Sequence, residues 1–257
     1  MDNQGEFYAQ YGEDRILAGI FSGVSQGIAV EVGAFDGIVC SNSYHFERKG
    51  WTCVLVEPNP ELASRIRQSR PMARLYQCAV GSSSGKITLQ IPEGGEMLAS
   101  VNSNASDLGE MTVIKAGKKL VPGVSVPLVQ DIDVEMTTLD HVLEQAGVDH
   151  VDFMTIDIEG FELDALRGIS LDRWKPRIVI IEDNHYGADH AIADYMALQG
   201  YRRFRITGCN DWYARRDDRK LVNGGRLLAA RIKKALMYFG RSLLLGSRRV
   251  ASRFSPG

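Results

Sequence analysis

Four acidic residues stand at the ends of apolar runs, where a charge is costly unless a ligand or a partner meets it. They are Glu31 in VEVG, Glu57 in LVEP, Asp157 in TIDIEG and Glu182 in IIEDN. The carboxyl ends of parallel strands meet at one edge of a sheet, and that edge is where such sheets bind ligands. We therefore predict that the four carboxylates form the rim of one binding site.

The residues that follow Glu31 indicate the kind of ligand. The stretch from Glu31 to Gly37 reads ExGxxxG, and its glycines let the backbone approach a ligand closely. Glu57 lies 20 residues after Gly37 and can accept hydrogen bonds from both hydroxyls of a ribose. This spacing predicts a nucleoside site, whereas a dinucleotide site would use the same acid with a tighter GxGxxG turn. The plainer alternatives are a strand-end turn residue for Glu31 and a solvated carboxylate for Glu57.

The elements that must position these residues alternate between strand and helix. Apolar patterns predict strands at 28–33, 52–58, 74–80, 86–91, 151–160, 177–184, 201–207 and 211–216, the last two as a hairpin. Helical spacing, caps and glycine stops predict helices at 12–21, 41–50, 60–69, 137–147, 161–169 and 188–200. Residues 92–126 are predicted to be a loop. Continuously apolar inner strands predict a parallel sheet covered on both faces, the doubly wound α/β class.

Charge divides the chain near residue 218. All 32 acidic residues lie at or before Asp218, and ten basic residues with no acid follow it. We predict a main domain at 1–218 and a basic C-terminal segment at 219–257. A hydrophobic content of 44% and a charged content of 24% are typical of a soluble globular protein. Since no signal peptide or long apolar run is visible, a cytoplasmic location is expected.

The basic segment predicts an amphipathic helix. Apolar residues follow helical spacing along one face, at Leu228, Ile232, Ala235, Leu236, Phe239 and Leu243, and basic residues recur on another. A basic amphipathic helix favours an anionic membrane surface, here the inner face of the membrane. The alternatives are docking on the acidic main domain and a dimer interface, so the oligomeric state stays open. No nucleic acid is expected, because no aromatic stacking pattern accompanies the charge.

Three stretches resemble the FkbM-type methyltransferase family: residues 10–17 (QYGEDRIL), 30–61 and 151–169. The third contains the family's Asp-x-Glu-Gly-x-Glu hallmark, and the resemblance covers about residues 8–206. It implies a Rossmann-like class I fold and transfer of a methyl group from S-adenosylmethionine to oxygen. The acceptors that it implies are sugars, glycolipids, polysaccharides and natural products. The chain departs from the family in having Thr155 where a lysine is usual, so no role is expected for a lysine there.

The resemblance also implies which residues contact the cofactor. From the methionine end to the adenine end they are Glu31, Gly33 and Gly37, then Asn42 and Ser43 at the carboxylate, Glu57 at the ribose, and Asn59 and Ala79 at the adenine. Asn42 could instead only cap the following helix. Glu162 is interpreted as a solvated acid in a first helical turn, where the helix dipole favours a negative charge.

Catalysis requires removal of a proton from the acceptor hydroxyl, because an alcohol is a poor nucleophile at neutral pH. His185, just after the strand at 177–184, is the candidate base, with Asp157 or Glu159 as the alternative. The carboxylates Asp157, Glu182 and Asp183, and also Glu159, are hard oxygen ligands that could instead hold Mg²⁺ with the hydroxyl. A second function class is a non-catalytic interaction protein on the same fold, tethered to a membrane by its basic tail. The intact glycines and Glu57 favour the enzyme.

Overall fold

The computed structural model describes residues 6–92, 129–184 and 189–251. The helices in these ranges are α1 (Glu13–Ile20), α2 (Tyr44–Glu47), α3 (Pro60–Ser69), α4 (Leu139–Ala146), α5 (Glu162–Arg167), α6 (Leu171–Trp174), α7 (Ala191–Leu198) and α8 (Gly224–Ala251). The strands are β1 (Ile28–Val32), β2 (Thr52–Val56), β3 (Arg74–Tyr76), β4 (Ala79–Val80), β5 (Gly85–Pro92), β6 (Val129–Thr137), β7 (Phe153–Ile156), β8 (Ile178–Glu182), β9 (Tyr201–Thr207) and β10 (Asn210–Arg215). The chain forms two compact units, Met1–Lys175 and Pro176–Gly257.

A parallel sheet forms the centre of the first unit. Its strands stand in the order β3-β2-β1-β7, and each neighbouring pair is parallel. The chain runs outward from β1 through β2 to β3 and then returns to the other side of β1 with β7. The strand order therefore reverses between β1 and β7, which is the position where doubly wound sheets bind ligands. The predicted α/β class is confirmed.

Local sequence explains where two helices of this unit, α3 and α4, begin. Asn59 caps α3 by accepting a hydrogen bond from the amide of Glu61, and Pro60 follows at the first helical position. Thr138 caps α4 in the same way, through the amide of His141. Gly147 ends α4 in a left-handed conformation with φ 62°. Predicted and observed helices agree here because caps are properties of a few neighbouring residues.

A second sheet, in the order β4-β6-β5, differs from the prediction. The single strand predicted at 74–80 is wrong, because the chain bends at Gln77 and Cys78 and sends β3 and β4 into different sheets. Strand β6 was not predicted, although it pairs with the whole length of β5, from Val129↔Pro92 to Met136↔Gly85. The loop predicted at 92–126 lies, beyond its first residue, outside the described residues.

The second unit contains β8, β10 and β9, in that order and antiparallel, together with α7 and α8. The predicted hairpin of β9 and β10 is confirmed. Helix α8 packs against β9, where Ala230 is buried and the Lys233 ammonium donates to the carbonyl of Ile206 at 2.8 Å. The basic tail thus docks on its own unit along this part of α8, as one of the alternatives expected. Among the described residues, no helix is long and apolar enough to cross a membrane.

Candidate cofactor site

A cleft opens at the carboxyl ends of β1, β2 and β7 in the first unit. It encloses about 600 Å³ of empty space, a volume that includes open solvent at its mouth. Several predicted site residues line it, namely Gly33, Glu57, Ala79, Asp157 and Glu159. An apolar wall of Leu62, Cys78, Val80 and Leu89 completes one side. The sheet edge predicted from the sequence is therefore a real concavity.

Glu57 follows β2 directly and is 5% exposed. One carboxylate oxygen accepts the amide of Phe35 and the other accepts the amide of Asn59, each at 2.9 Å. These bonds fix the orientation of the carboxylate and still leave it acceptor capacity, since an ionised carboxylate has about four lone-pair sites. The solvated interpretation of Glu57 is wrong. Asn59 holds Glu57 and caps α3, and its predicted contact with adenine stays a prediction.

Burial changes the acidity of the Glu57 side chain. Loss of water around the carboxylate raises its pKa from 4.5 to about 7, although the two backbone hydrogen bonds act in the opposite direction. Burial also raises the pKa of the Cys78 thiol, on the apolar wall, to about 11. At neutral pH the cleft therefore has a neutral thiol on its apolar wall and a carboxyl group near its titration midpoint.

The backbone after β1 is shaped by residues with positive φ. At Gly33, with φ 82°, an added Cβ would lie 1.9 Å from the carbonyl oxygen of Asp157, so only glycine allows β1 and β7 to end so close together. Phe35 has φ 53°, a conformation that non-glycine residues adopt rarely. This conformation is held by the bond from the Phe35 amide to Glu57. Such outliers concentrate at functional sites.

The loop after β7 has a similar construction. Asp157 is exposed to the cleft, and Glu159 has φ 56° beside Gly160 with φ 100°. Glu162, 5% exposed, accepts hydrogen bonds from the amides of Ile158 and Gly160 through one oxygen, Oε1. The interpretation of Glu162 as a solvated acid is wrong. It holds the hallmark loop in the shape that presents Asp157 and Glu159 to the cleft.

Glu31 belongs to a buried network behind the cleft. Its carboxylate accepts hydrogen bonds from the hydroxyls of Ser41 and Ser43 and from the amide of Asn42. Ser43 is the N-cap residue of α2 and is fully buried. In this structure Glu31 and Ser43 shape the loop between β1 and α2, and their predicted contacts with the cofactor stay predictions. The side-chain oxygen of Asn42 is buried without a hydrogen-bond partner among the described residues, which suits a ligand contact.

Arg70 completes this network and was missed in the sequence. Its guanidinium is fully buried, bonds the carboxylate of Glu47 at 2.8 and 3.0 Å, and lies 3.5 Å from that of Glu31. It also donates to the carbonyl of Gly37 at 3.1 Å. The available signal was spacing, since Leu62 and Ile66 on the buried face of α3 are followed, again four residues on, by Arg70, which caps the end of the helix. A cation on an apolar stripe indicates a buried partner.

The remaining predicted residues belong to the second unit. Glu182 ends β8, is buried, and accepts bonds from the side-chain amide of Asn184 at 2.8 Å and the thiol of Cys209 at 3.3 Å. Asp183 is paired with the buried ammonium of Lys234, which already balances its charge. His185 lies outside the described residues, so its role as the base stays a prediction.

This chain is similar to a family model, to a relative by sequence and to solved structures. Residues 31–203 match the family model described as the Methyltransferase FkbM domain. Methyltransferase sdnD of Sordaria araneosa is 29% identical over 122 residues, 42% of this chain and 46% of that protein, so the match spans less than half of the relative's length.

Two solved structures also align with the chain. A TehB-like SAM-dependent methyltransferase from Corynebacterium glutamicum aligns over 80% of this chain and 88% of its own, with 10% identity and a TM-score of 0.40. A methyltransferase from Geobacter sulfurreducens aligns over 80% of each chain, with 12% identity and a TM-score of 0.40. Since the family model matches well over half of the 257 residues, the chain belongs to the FkbM methyltransferase domain family.

Proposed function

We propose that this protein binds S-adenosylmethionine in the β1/β2/β7 cleft and methylates a hydroxyl group of a small molecule or glycan. The observation that carries the proposal is the position of Glu57 in the cleft. Backbone amides hold both of its oxygens, and acceptor capacity remains for a ribose diol. Carboxylates are rarely buried in proteins unless another group pairs with them. The family to which the chain belongs supports the same cofactor.

The rest of the cleft suits the cofactor as well. Gly33 keeps the space between the ends of β1 and β7 free of a side chain. The apolar wall of Leu62, Cys78, Val80 and Leu89 offers an apolar surface to adenine. When bound, the cofactor would supply an electrophilic methyl group on sulfur. The protein then has to orient the acceptor and accept its proton.

Calorimetric titration of the full chain with S-adenosylmethionine tests the cofactor assignment. We expect Glu57→Ala to lower the affinity roughly 10- to 150-fold, as the loss of hydrogen bonds to a charged group costs about 1.5–3 kcal/mol. Glu61→Ala is the matched control, because Glu61 is exposed at the start of α3, and it should bind normally. If the folded wild-type chain does not bind the cofactor, the non-catalytic interaction protein becomes the better interpretation.

The proposed acceptor is a hydroxyl because carboxylates line the cleft beside the cofactor site. Asp157 and Glu159 can accept a hydrogen bond from a hydroxyl and remove its proton. The acceptor can be sought by incubating sugar and glycolipid fractions with protein and isotope-labelled cofactor, followed by mass spectrometry. A labelled methyl ether supports the proposal, and a label found only on nitrogen contradicts it.

Substitution of the candidate bases separates their roles. Removal of a general base typically lowers turnover by about 10²- to 10⁴-fold while leaving cofactor affinity unchanged. We expect this of His185→Ala, and of Asp157→Asn or Glu159→Gln if one of these acids is the base instead. In the metal-assisted alternative, a chelator would abolish turnover and added Mg²⁺ would restore it.

A further inference from the structure

Helix α8 has two faces with different environments. Its docked face carries Leu227, Ala230, Lys234 and Met237, which follow the spacing of one helix side and are buried or half-buried. Lys234 is 4% exposed and pairs with both Asp183 and Asp211. These contacts hold α8 against the strands of the second unit and define which side of it faces away.

The opposite face of α8 is apolar and faces solvent. Leu228, Ile232 and Leu236 recur every fourth residue and are 59%, 51% and 66% exposed. Residues four apart lie one above the other on a helix, so the three side chains form a continuous stripe. Arg226 and Arg231, both exposed, belong to the same turns. Large apolar side chains aligned on an exposed surface mark an interaction site.

The charge of the helix selects the partner. From Gly224 to Ala251 the helix carries seven basic residues and no acid. A second copy would bring another seven positive charges against the first, so charge opposes self-association through this face. An anionic lipid surface offers both the negative charge and an apolar layer into which such a stripe can be buried.

We propose that the exposed stripe of α8, Leu228, Ile232 and Leu236, binds an anionic membrane surface while Lys234 fastens the other face to the second unit. The helix would lie in the plane of the interface with its apolar side inserted below the headgroups. The protein would then be peripheral at the inner face of the membrane. This inference is independent of the cofactor proposal, since none of these residues lines the cleft.

Co-sedimentation of the full chain with vesicles tests the inference. We expect binding to phosphatidylcholine vesicles that contain phosphatidylglycerol, little binding to phosphatidylcholine alone, and weaker binding as salt rises, because charges are screened beyond about 8 Å at physiological ionic strength. The triple variant Leu228→Gln, Ile232→Gln, Leu236→Gln should bind at least about tenfold more weakly. Glutamine keeps the helix propensity close to that of leucine.

Matched variants distinguish vesicle binding by the α8 stripe from non-specific binding through any exposed apolar side chain. Leu198→Gln alters a leucine that is 85% exposed at the end of α7, and it should leave vesicle binding unchanged. Arg226→Gln with Arg231→Gln should weaken binding by about fivefold per residue. Thermal melting of each variant should match that of the wild type, because the changed side chains are exposed.

Two results would overturn the inference. One is a folded full chain that does not bind anionic vesicles, whatever its affinity for other proteins. The other is sedimentation equilibrium showing a dimer that the triple glutamine variant abolishes, since the face would then be covered by a second copy.

Discussion

At the scale of single residues, the cleft depends on a carboxyl group that is largely shielded from water, the side chain of Glu57, which is 5% exposed. Burial raises the pKa of Glu57 to about 7, against 4.5 for the exposed group, and the amides of Phe35 and Asn59 limit this rise. The folded protein therefore retains a proton that the unfolded chain loses. Consequently, the contribution of Glu57 to stability falls as pH rises from 4.5 to about 7.

Cofactor affinity should have the opposite pH dependence. The ribose hydroxyls donate hydrogen bonds, so the ionised form of Glu57 is the binding form, and affinity should rise with pH through about 7 and then level off. Below that pH we expect about a tenfold loss per unit, because the binding-competent fraction falls in proportion. Titration calorimetry across this range measures the effect.

The Glu57→Gln variant is the control for this pH profile. It cannot ionise, so its affinity should be lower and nearly independent of pH. A pH profile that survives in Glu57→Gln would assign the titration to another cleft group, such as Asp157 or Glu159.

At the scale of elements, one arginine connects α3 with the loop between β1 and α2. Arg70 bonds Glu47, Ser43 and the carbonyl of Gly37, and Glu31 lies beside it. Strand β1, helix α2 and the end of helix α3 are therefore connected through one buried guanidinium. The network bonds the backbone at Gly37, in the same loop as Phe35, whose amide donates to Glu57.

Removing this guanidinium should destabilise the first unit. Arg70→Met leaves the buried carboxylate of Glu31 and the half-buried carboxylate of Glu47 without their cation, a change that costs about 3–5 kcal/mol. Denaturant unfolding followed by fluorescence measures the loss, and Arg67→Met, at an exposed position in the last turn of α3, should change stability little. A stable Arg70→Met protein that binds the cofactor normally would show that the network does not position the site.

At the scale of the whole molecule, the sequence separates its charges, with all of its acids at or before Asp218 and a purely basic segment after it. The second unit shows one consequence of this separation. Lys234 of α8 is buried between Asp183 and Asp211, and Asp211 also pairs with Arg203. The basic segment is thus packed into the second unit at Lys234, and deleting it would remove a buried cation as well as any membrane affinity.

The Lys234→Met substitution should therefore lower the stability of the second unit. Two buried carboxylates would lose their ammonium partner, at a cost of about 3–5 kcal/mol. Arg231→Met, exposed on the same helix, should cost less than about 0.5 kcal/mol. Thermal unfolding followed by circular dichroism compares the two variants. Equal melting temperatures would show that α8 is not held by this pair.

The sequence by itself determined the alternating α/β order, the helices that form α3 and α4, and the placement of Gly33, Glu57 and Asp157 around one cleft. These features depend on short-range patterns of burial and on the rule that parallel strands end at one edge. Only the tertiary structure decided that Glu31 faces Ser41 and Arg70, that Glu162 holds the hallmark loop, and that β3 and β4 part into two sheets. It also decided that Lys234 of α8 pairs with Asp211 and holds the helix against the strands. In most of these cases the deciding contact joins groups 10 to 57 residues apart in the chain, and no local periodicity records which buried charge meets which partner.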